Sequence, residues 1–304
     1  MNRLTLVGLV AIILSACTGK PAPETGQRIT IVTTTGMIAD AARQVAGKLA
    51  DVTELIGPGV DPHLYKASQG DLKKLTGADV VFFNGLHLEG KMGEVLEKLG
   101  KRKPVVAVAG SIPDSLLRTA PGFAGAHDPH IWFDVMLWKH AVQTVGDFLS
   151  RQYPDHDSTF RSNTARYLSR LDSLDAAIRS RLQEIPPQQR VLITAHDAFG
   201  YFGEAYGMEV RGLQGISTLS EFGLRDVTAM VQFIIDRRIK AIFIESSVSP
   251  RSIQAVVEGC KKKGWEVRIA ASLYSDAMGA AGTPEGSYTG MVMANVNNIT
   301  EALK

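Results

Sequence analysis

Residues 155–184 read DHDSTFRSNTARYLSRLDSLDAAIRSRLQE. Phe160, Tyr167, Leu168, Leu171, Leu174, Ile178 and Leu182 recur at threes and fours, with Arg and Asp between them. That is the pattern of an amphipathic helix. Pro186-Pro187 ends it, because proline has no N–H to offer and clashes with the preceding turn. About thirty helical residues span roughly 45 Å at 1.5 Å per residue. One α/β layer needs less, so the stretch reads as a rigid strut between two domains.

Working outward, the two flanks repeat one theme. Before the strut, residues 29–34, 52–56, 79–83 and 104–108 are β-branched or apolar runs. Residues 36–48, 90–99 and 135–149 have helical spacing, and Ser68 is placed to cap a short helix through Leu75. After it, strands are expected at 190–194, 209–213, 241–244 and 267–271. Helices are expected at 198–206, 224–237, 252–262 and about 287–303. Strands alternating with helices imply a parallel, doubly wound sheet. The expected fold class is therefore α/β: two similar lobes, each a parallel sheet flanked by helices, joined by one long α-helix. The expected divisions are a signal peptide over 1–16, a lipidated tether over 17–27, an N-terminal lobe over 28–152, the connecting helix over 153–186 and a C-terminal lobe over 187–304.

Length and composition bound the rest. A chain of 304 residues with 45% apolar and 21% charged content supports an ordinary packed core. A formal charge of +2 gives no footprint for nucleic acid. Two cysteines, Cys17 and Cys260, are too few for a disulfide framework. Arg3 precedes an apolar run over 4–14, too short to span a membrane. Leu14-Ser15-Ala16-Cys17 then places small residues before a cysteine, which looks like a bacterial lipobox with Cys17 as the lipid-modified first residue of the mature chain. The alternative is an ordinary secretory peptide cut near Ala16.

Chemistry concentrates in a repeated tripeptide. Asp-Pro-His occurs at Asp61-Pro62-His63 and again at Asp128-Pro129-His130, each in a loop beyond an apolar strand. Proline fixes its own φ and biases its predecessor toward an extended shape, so each histidine leaves its loop in a defined direction. His196 follows the first strand of the second lobe, and Asp276 follows its last. In open parallel sheets, ligands bind beyond the carboxyl ends of the strands. Two such side chains from each lobe could converge across a cleft. Three neutral imidazoles and one carboxylate suit zinc and are usable by manganese. The chain has no His-Glu-x-x-His and no Cys-x-x-Cys, so spacing alone leaves metal ligands and structural histidines both open.

The joint pattern goes further. Asp-Pro-His-Leu-Tyr from Asp61, Asn84-Gly85-Leu86-His87-Leu88-Glu89, Asp128-Pro129-His130-Ile131-Trp132-Phe133-Asp134, Thr194-Ala195-His196-Asp197-Ala198-Phe199, Glu245-Ser246-Ser247 and Leu273-Tyr274-Ser275-Asp276-Ala277-Met278-Gly279 occur in that order. Together they closely resemble the metal-binding lipoproteins that feed zinc or manganese to ABC importers, over nearly the whole mature chain. The resemblance implies a metal in the interlobe cleft, held by His63, His130, His196 and Asp276. It also implies delivery of that ion to a membrane permease with its cytoplasmic ATPase, by a protein that is not itself an enzyme. A monomer is expected, extracytoplasmic and attached to the membrane through the lipid on Cys17. Zn2+ or Mn2+ would be cargo rather than cofactor. Histidine at the third position resembles zinc or dual zinc/manganese members, whereas dedicated manganese members tend to carry glutamate there. Residues 111–128 contribute only His127, where strong zinc scavengers often carry a long His-rich loop.

The remaining candidates have plainer readings. His87 packs or bonds backbone, His127 is a loop residue or an accessory capture point, and His140 and His156 are structural or surface residues on helices. Asp61 and Asp128 orient their loops or neighbouring imidazoles, and Glu245 does the same or merely ends a strand. Gly85 to Met92 nearly spells a phosphate-binding loop, but Met92 stands where a hydroxyl belongs. The rival function is a secreted zinc-dependent hydrolase, which needs an open metal position and a nearby base. A surface adhesin is a further class for which no residue argues.

Overall fold

The computed structural model describes residues 28–120, 125–219 and 222–304. The expected signal peptide, the tether and Cys17 lie outside the described residues. No helix among the described residues is long and apolar enough to cross a membrane.

The first lobe is built on β1 (Ile29–Thr33), β2 (Ala50–Glu54), β3 (Val80–Phe83) and β4 (Val105–Ala107), all parallel, in the order β2-β1-β3-β4. Its helices are α1 (Gly36–Ala46), α2 (Gln69–Gly77), α3 (Gly93–Gly100) and α4 (Val135–Gln152). The sheet is covered on both faces. Ile31, Val80 and Phe82 point into one apolar cluster, while Val32 and Val81 point into another with Leu75 and Leu96. Burial on both sides is why these strands spell continuous apolar runs rather than alternation.

The second lobe follows α5 (Asp157–Leu182), with β5 (Val191–His196), α6 (Gly200–Tyr206), β6 (Glu209–Gln214), α7 (Leu224–Asp236), β7 (Ala241–Glu245), α8 (Arg251–Lys262), β8 (Arg268–Leu273) and α9 (Tyr288–Leu303). Its strands are parallel and form two ladders, β5 with β6 and β7 with β8, with β5 lying beside β7. Where β5 and β7 end together, the His196 N–H goes to the Glu245 carboxylate at 2.8 Å. A side chain thus takes the place of a ladder partner at the position that matters most for the site.

The long helix has 26 residues, about 39 Å. It is packed along its length rather than spanning open space. Phe160, Thr164, Tyr167, Leu171, Leu174, Ile178 and Leu182 are buried against α1, α4 and α9. The inner faces of both lobes merge there into one continuous core containing Phe82, Trp138, Tyr167, Leu171, Phe199 and Tyr288. Buried Asp40 on α1 accepts from the Tyr167 hydroxyl at 2.7 Å and the Tyr288 N–H at 3.4 Å, joining α1, α5 and α9. The lobes are therefore fastened as well as linked.

Candidate metal centre

The loops that matter all leave the carboxyl ends of strands. Residues 61–63 follow β2, residues 128–130 close the long loop after β4, His196 is the last residue of β5, and Asp276 lies three positions beyond β8. The Asp-Pro-His tripeptides are explained by one local geometry. Asp61 Oδ1 accepts the His63 N–H at 2.8 Å, and Asp128 Oδ1 accepts the His130 N–H at 3.0 Å. The carboxylate folds back on the backbone two residues on. The intervening proline has no N–H to compete and holds its φ fixed. The histidine is thereby aimed before any tertiary contact forms.

Tertiary structure brings the four predicted residues together. One ligand atom from each of His63, His130, His196 and Asp276 lies within 4.8 Å of the others. His63 Nε2 is 3.3 Å from His130 Nε2, Asp276 Oδ1 is 3.4 Å from His130 Nε2, and Asp276 Oδ2 is 3.3 Å from His196 Nε2. Atoms tetrahedrally placed around zinc at its usual bond lengths stand about 3.3–3.4 Å apart. His130, His196 and Asp276 are fully buried and His63 is 2% exposed. Both oxygens of Asp276 and Nε2 of His196 make no hydrogen bond. Buried polar atoms left in that state are costly, and a shared cation satisfies all of them at once.

Around this group stand the residues that aim it. Asp128 Oδ1 holds His130 Nδ1 at 2.7 Å, and Glu245 Oε2 lies 2.5 Å from His196 Nδ1. Asp128 fixes its ring through that hydrogen bond, and Glu245 faces its ring as an ion-pair partner without a formed hydrogen bond, both on the Nδ1 side where partners of metal-bound imidazoles stand. His63 is held through its backbone by Asp61, whose other oxygen accepts from the Thr218 hydroxyl of the second lobe at 2.6 Å. Asn84 donates to the Pro129 carbonyl at 3.0 Å, and buried Glu89 accepts from Thr34 and the Asn84 N–H, both at 2.7 Å. Glu89 therefore clips the 84–89 loop, and Asn84 passes that order to the second Asp-Pro-His. Trp132 donates to the Ser275 carbonyl at 2.9 Å, fixing the residue before Asp276.

Electrostatics separates the three imidazoles. Burial pushes His63 down to about 3, so it is neutral. Burial also opposes charge on His130, but the Asp128 and Asp276 carboxylates outweigh it and lift it to about 9. Burial acts likewise on His196, and Glu245 and Asp276 outweigh it and raise it well above the ordinary histidine value. Burial alone would raise Asp276, yet the two imidazoles hold it well below the carboxylate range. The carboxylates that favour a proton on His130 and His196 would equally favour a cation beside them.

The other histidines stay outside the group. His87 is exposed in a left-handed turn, and His127 lies 3.7 Å from Asp114. His140 is half-buried on α4, and His156 sits edge-on to Phe160. Asp134 caps α4 by accepting from the N–H groups of Met136 and Leu137. Met92 is fully buried and Glu89 is committed to the loop, so the near-match to a phosphate loop is structural. Sequence reading missed the roles of Asn84, Glu89, Thr218 and Arg118. The first two stood in a quoted motif without a physical reason, and the others carry no local signal.

The comparisons with known proteins agree with this geometry. A family model described as the periplasmic zinc-uptake complex component A matches residues 31–302. The manganese-binding lipoprotein MntA of Bacillus subtilis is 51% identical over 304 residues, covering 98% of this chain and 99% of the relative. The zinc-binding protein TroA of Treponema pallidum is 45% identical over 297 residues, covering 98% and 96%. The solved structure of the periplasmic zinc-binding protein TroA from Treponema pallidum matches with a TM-score of 0.89 at 46% identity, over 91% of this chain and 99% of that one. With that coverage and a cleft built from its own two lobes, the chain belongs to the family of the periplasmic component A of zinc-uptake complexes.

Proposed function

We propose that this protein captures a divalent transition-metal ion, zinc or manganese, between its lobes and delivers it to the permease of an ABC importer. The ligands in this reading are His63, His130, His196 and Asp276. The observation that carries it is the set of four buried ligand atoms converging on one point, with both Asp276 oxygens lacking any hydrogen bond. The divisions at 28–152, 153–186 and 187–304 fit it, because each lobe then supplies two ligands. Cys17 carries the lipid that holds the protein, as a monomer, on the extracytoplasmic side of a membrane. The relatives' own descriptions as a manganese-binding lipoprotein and a zinc-binding protein support this reading.

The protein is not an enzyme in this reading. Four protein ligands leave little room for a reactive water at the metal. The nearest carboxylates that could act as bases, Asp128 and Glu245, are already occupied in holding imidazoles. Zinc binds more tightly than manganese at such a nitrogen-and-oxygen site by the Irving–Williams order. We therefore expect zinc in a purified sample, with manganese as a physiological cargo where the cell supplies it. The deciding experiment is titration of wild type, His196→Ala and His156→Ala with both ions. His196→Ala should lose zinc affinity by more than about a hundredfold, and His156→Ala should match wild type. Equal behaviour of the two variants would remove the assignment.

A further inference from the structure

We propose that Arg118 is a positioning residue for metal capture, a clasp that holds His130 in its ligating pose and ties that pose to the second lobe. The inference rests on the metal-binding reading of His130. Arg118 lies in the long loop before His130 and is joined to Asp128 twice. Its carbonyl accepts the Asp128 N–H at 2.9 Å, and its Nη1 lies 3.6 Å from Asp128 Oδ2. That oxygen is the one not used by His130, it belongs to a fully buried side chain, and it makes no hydrogen bond. The guanidinium is the charge that compensates it.

The other half of the clasp belongs to the second lobe. Arg118 Nε pairs with Glu204 at 2.9 Å, and the Arg118 N–H donates to the Tyr201 hydroxyl at 3.0 Å. The same hydroxyl donates to the Asp128 carbonyl at 2.9 Å. Tyr201 and Glu204 are on α6, the helix directly after His196. One guanidinium thus links the carboxylate behind His130 to the helix behind His196.

A glycine makes the space. Gly200 opens α6, and a Cβ there would fall 1.2 Å from Arg118 Nη1. Its φ is not among the positive ones, so backbone conformation does not require glycine. Alanine would also serve a helix better. The absence of a side chain at position 200 is explained by the guanidinium that lies over it.

The test compares wild type with Arg118→Met and Gly200→Ala, the second displacing the guanidinium without removing it. Three quantities are read: the rate of Zn2+ release into excess chelator, the visible spectrum of bound Co2+, and the thermal midpoint of the metal-free protein. Loss of a partner behind a metal-bound histidine weakens sites by roughly ten- to a hundredfold. Both variants should release zinc about tenfold faster, with shifted Co2+ bands, and Gly200→Ala should melt no lower than wild type. A merely structural role would lower the melting point and leave the bands in place. Gly200→Ala releasing zinc at the wild-type rate or slower overturns the clasp, whatever Arg118→Met does. Wild type failing to bind zinc, or His196→Ala binding as wild type does, overturns instead the metal reading beneath it.

Discussion

At the scale of the residue, the proposed metal site is one in which protons and a cation compete. His130 is lifted to about 9 from an ordinary value of 6.5, chiefly by carboxylates that overcome its burial. A raised value in the folded state stabilises the metal-free protein fully below about 6.5. That contribution is lost as pH rises through about 9. With His130 as a proposed ligand, metal affinity is expected to run the other way, because an ion bound at Nε2 displaces the proton. Zinc affinity is therefore expected to climb between pH 6.5 and 9, measured by chelator competition; a plateau already reached at 6.5 would contradict it. The sequence showed the histidines but not which carboxylate stands behind each, so this window follows only from the fold. Glu245→Gln should weaken zinc binding by about ten- to a hundredfold, since Glu245 both aims His196 and balances its charge. The sequence left Asp128 open between orienting its loop and orienting an imidazole, although it stands only two positions from His130. Glu245 was left open because it reaches His196 across 49 positions.

At the scale of the element, local chemistry decides ends and close approach decides register. Ser68 caps α2 with a reciprocal pair, its hydroxyl accepting from the Asp71 N–H while Asp71 accepts from the Ser68 N–H. Ser68→Ala should cost about 1 kcal/mol in denaturant unfolding and leave zinc affinity unchanged, because the cap's hydrogen bonds include none of His63, His130, His196 and Asp276. The cap was readable because it involves residues three apart. The contact of α4 with α5 was not. Gly146 on α4 faces Thr164 on α5, where a Cβ would stand 2.4 Å from the hydroxyl oxygen. Alanine there gains up to about 1 kcal/mol of helix propensity but meets overpacking of about 1–3 kcal/mol. Gly146→Ala should therefore lower the unfolding free energy, and a stabilised variant would show that the helices can part freely. Thr164 escaped the amphipathic reading of α5 because it is polar, yet it is buried exactly on the apolar stripe's period.

At the scale of the whole molecule, a shared core limits how the cleft can move. Tyr167, Leu171 and Tyr288 bind α5 to elements of both lobes, and Asp40 ties α1 to α5 and α9. A wide hinge would have to break these buried contacts, so metal exchange is expected through small shifts of loops and lobes rather than opening of the kind seen in hinge closure. X-ray scattering of metal-free and zinc-loaded protein should give nearly superposable profiles; a large change in radius would refute this. The sequence by itself determined the α/β class and the long helix, and it marked the four converging side chains through their resemblance to a family pattern. The first two rest on periodicity and punctuation by proline; the resemblance supplied the side chains, of which only His63 and His130 lie in tripeptides whose geometry is set within three residues. Only the tertiary structure decided that α5 lies inside a common core, that the second lobe carries its four strands as two ladders, and that Glu245, Thr218 and Arg118 stand behind the ligands. Such relations join residues far apart in the chain through burial and charge. No local pattern encodes them, because the low-dielectric pocket that gives them their strength exists only once both lobes have closed around it.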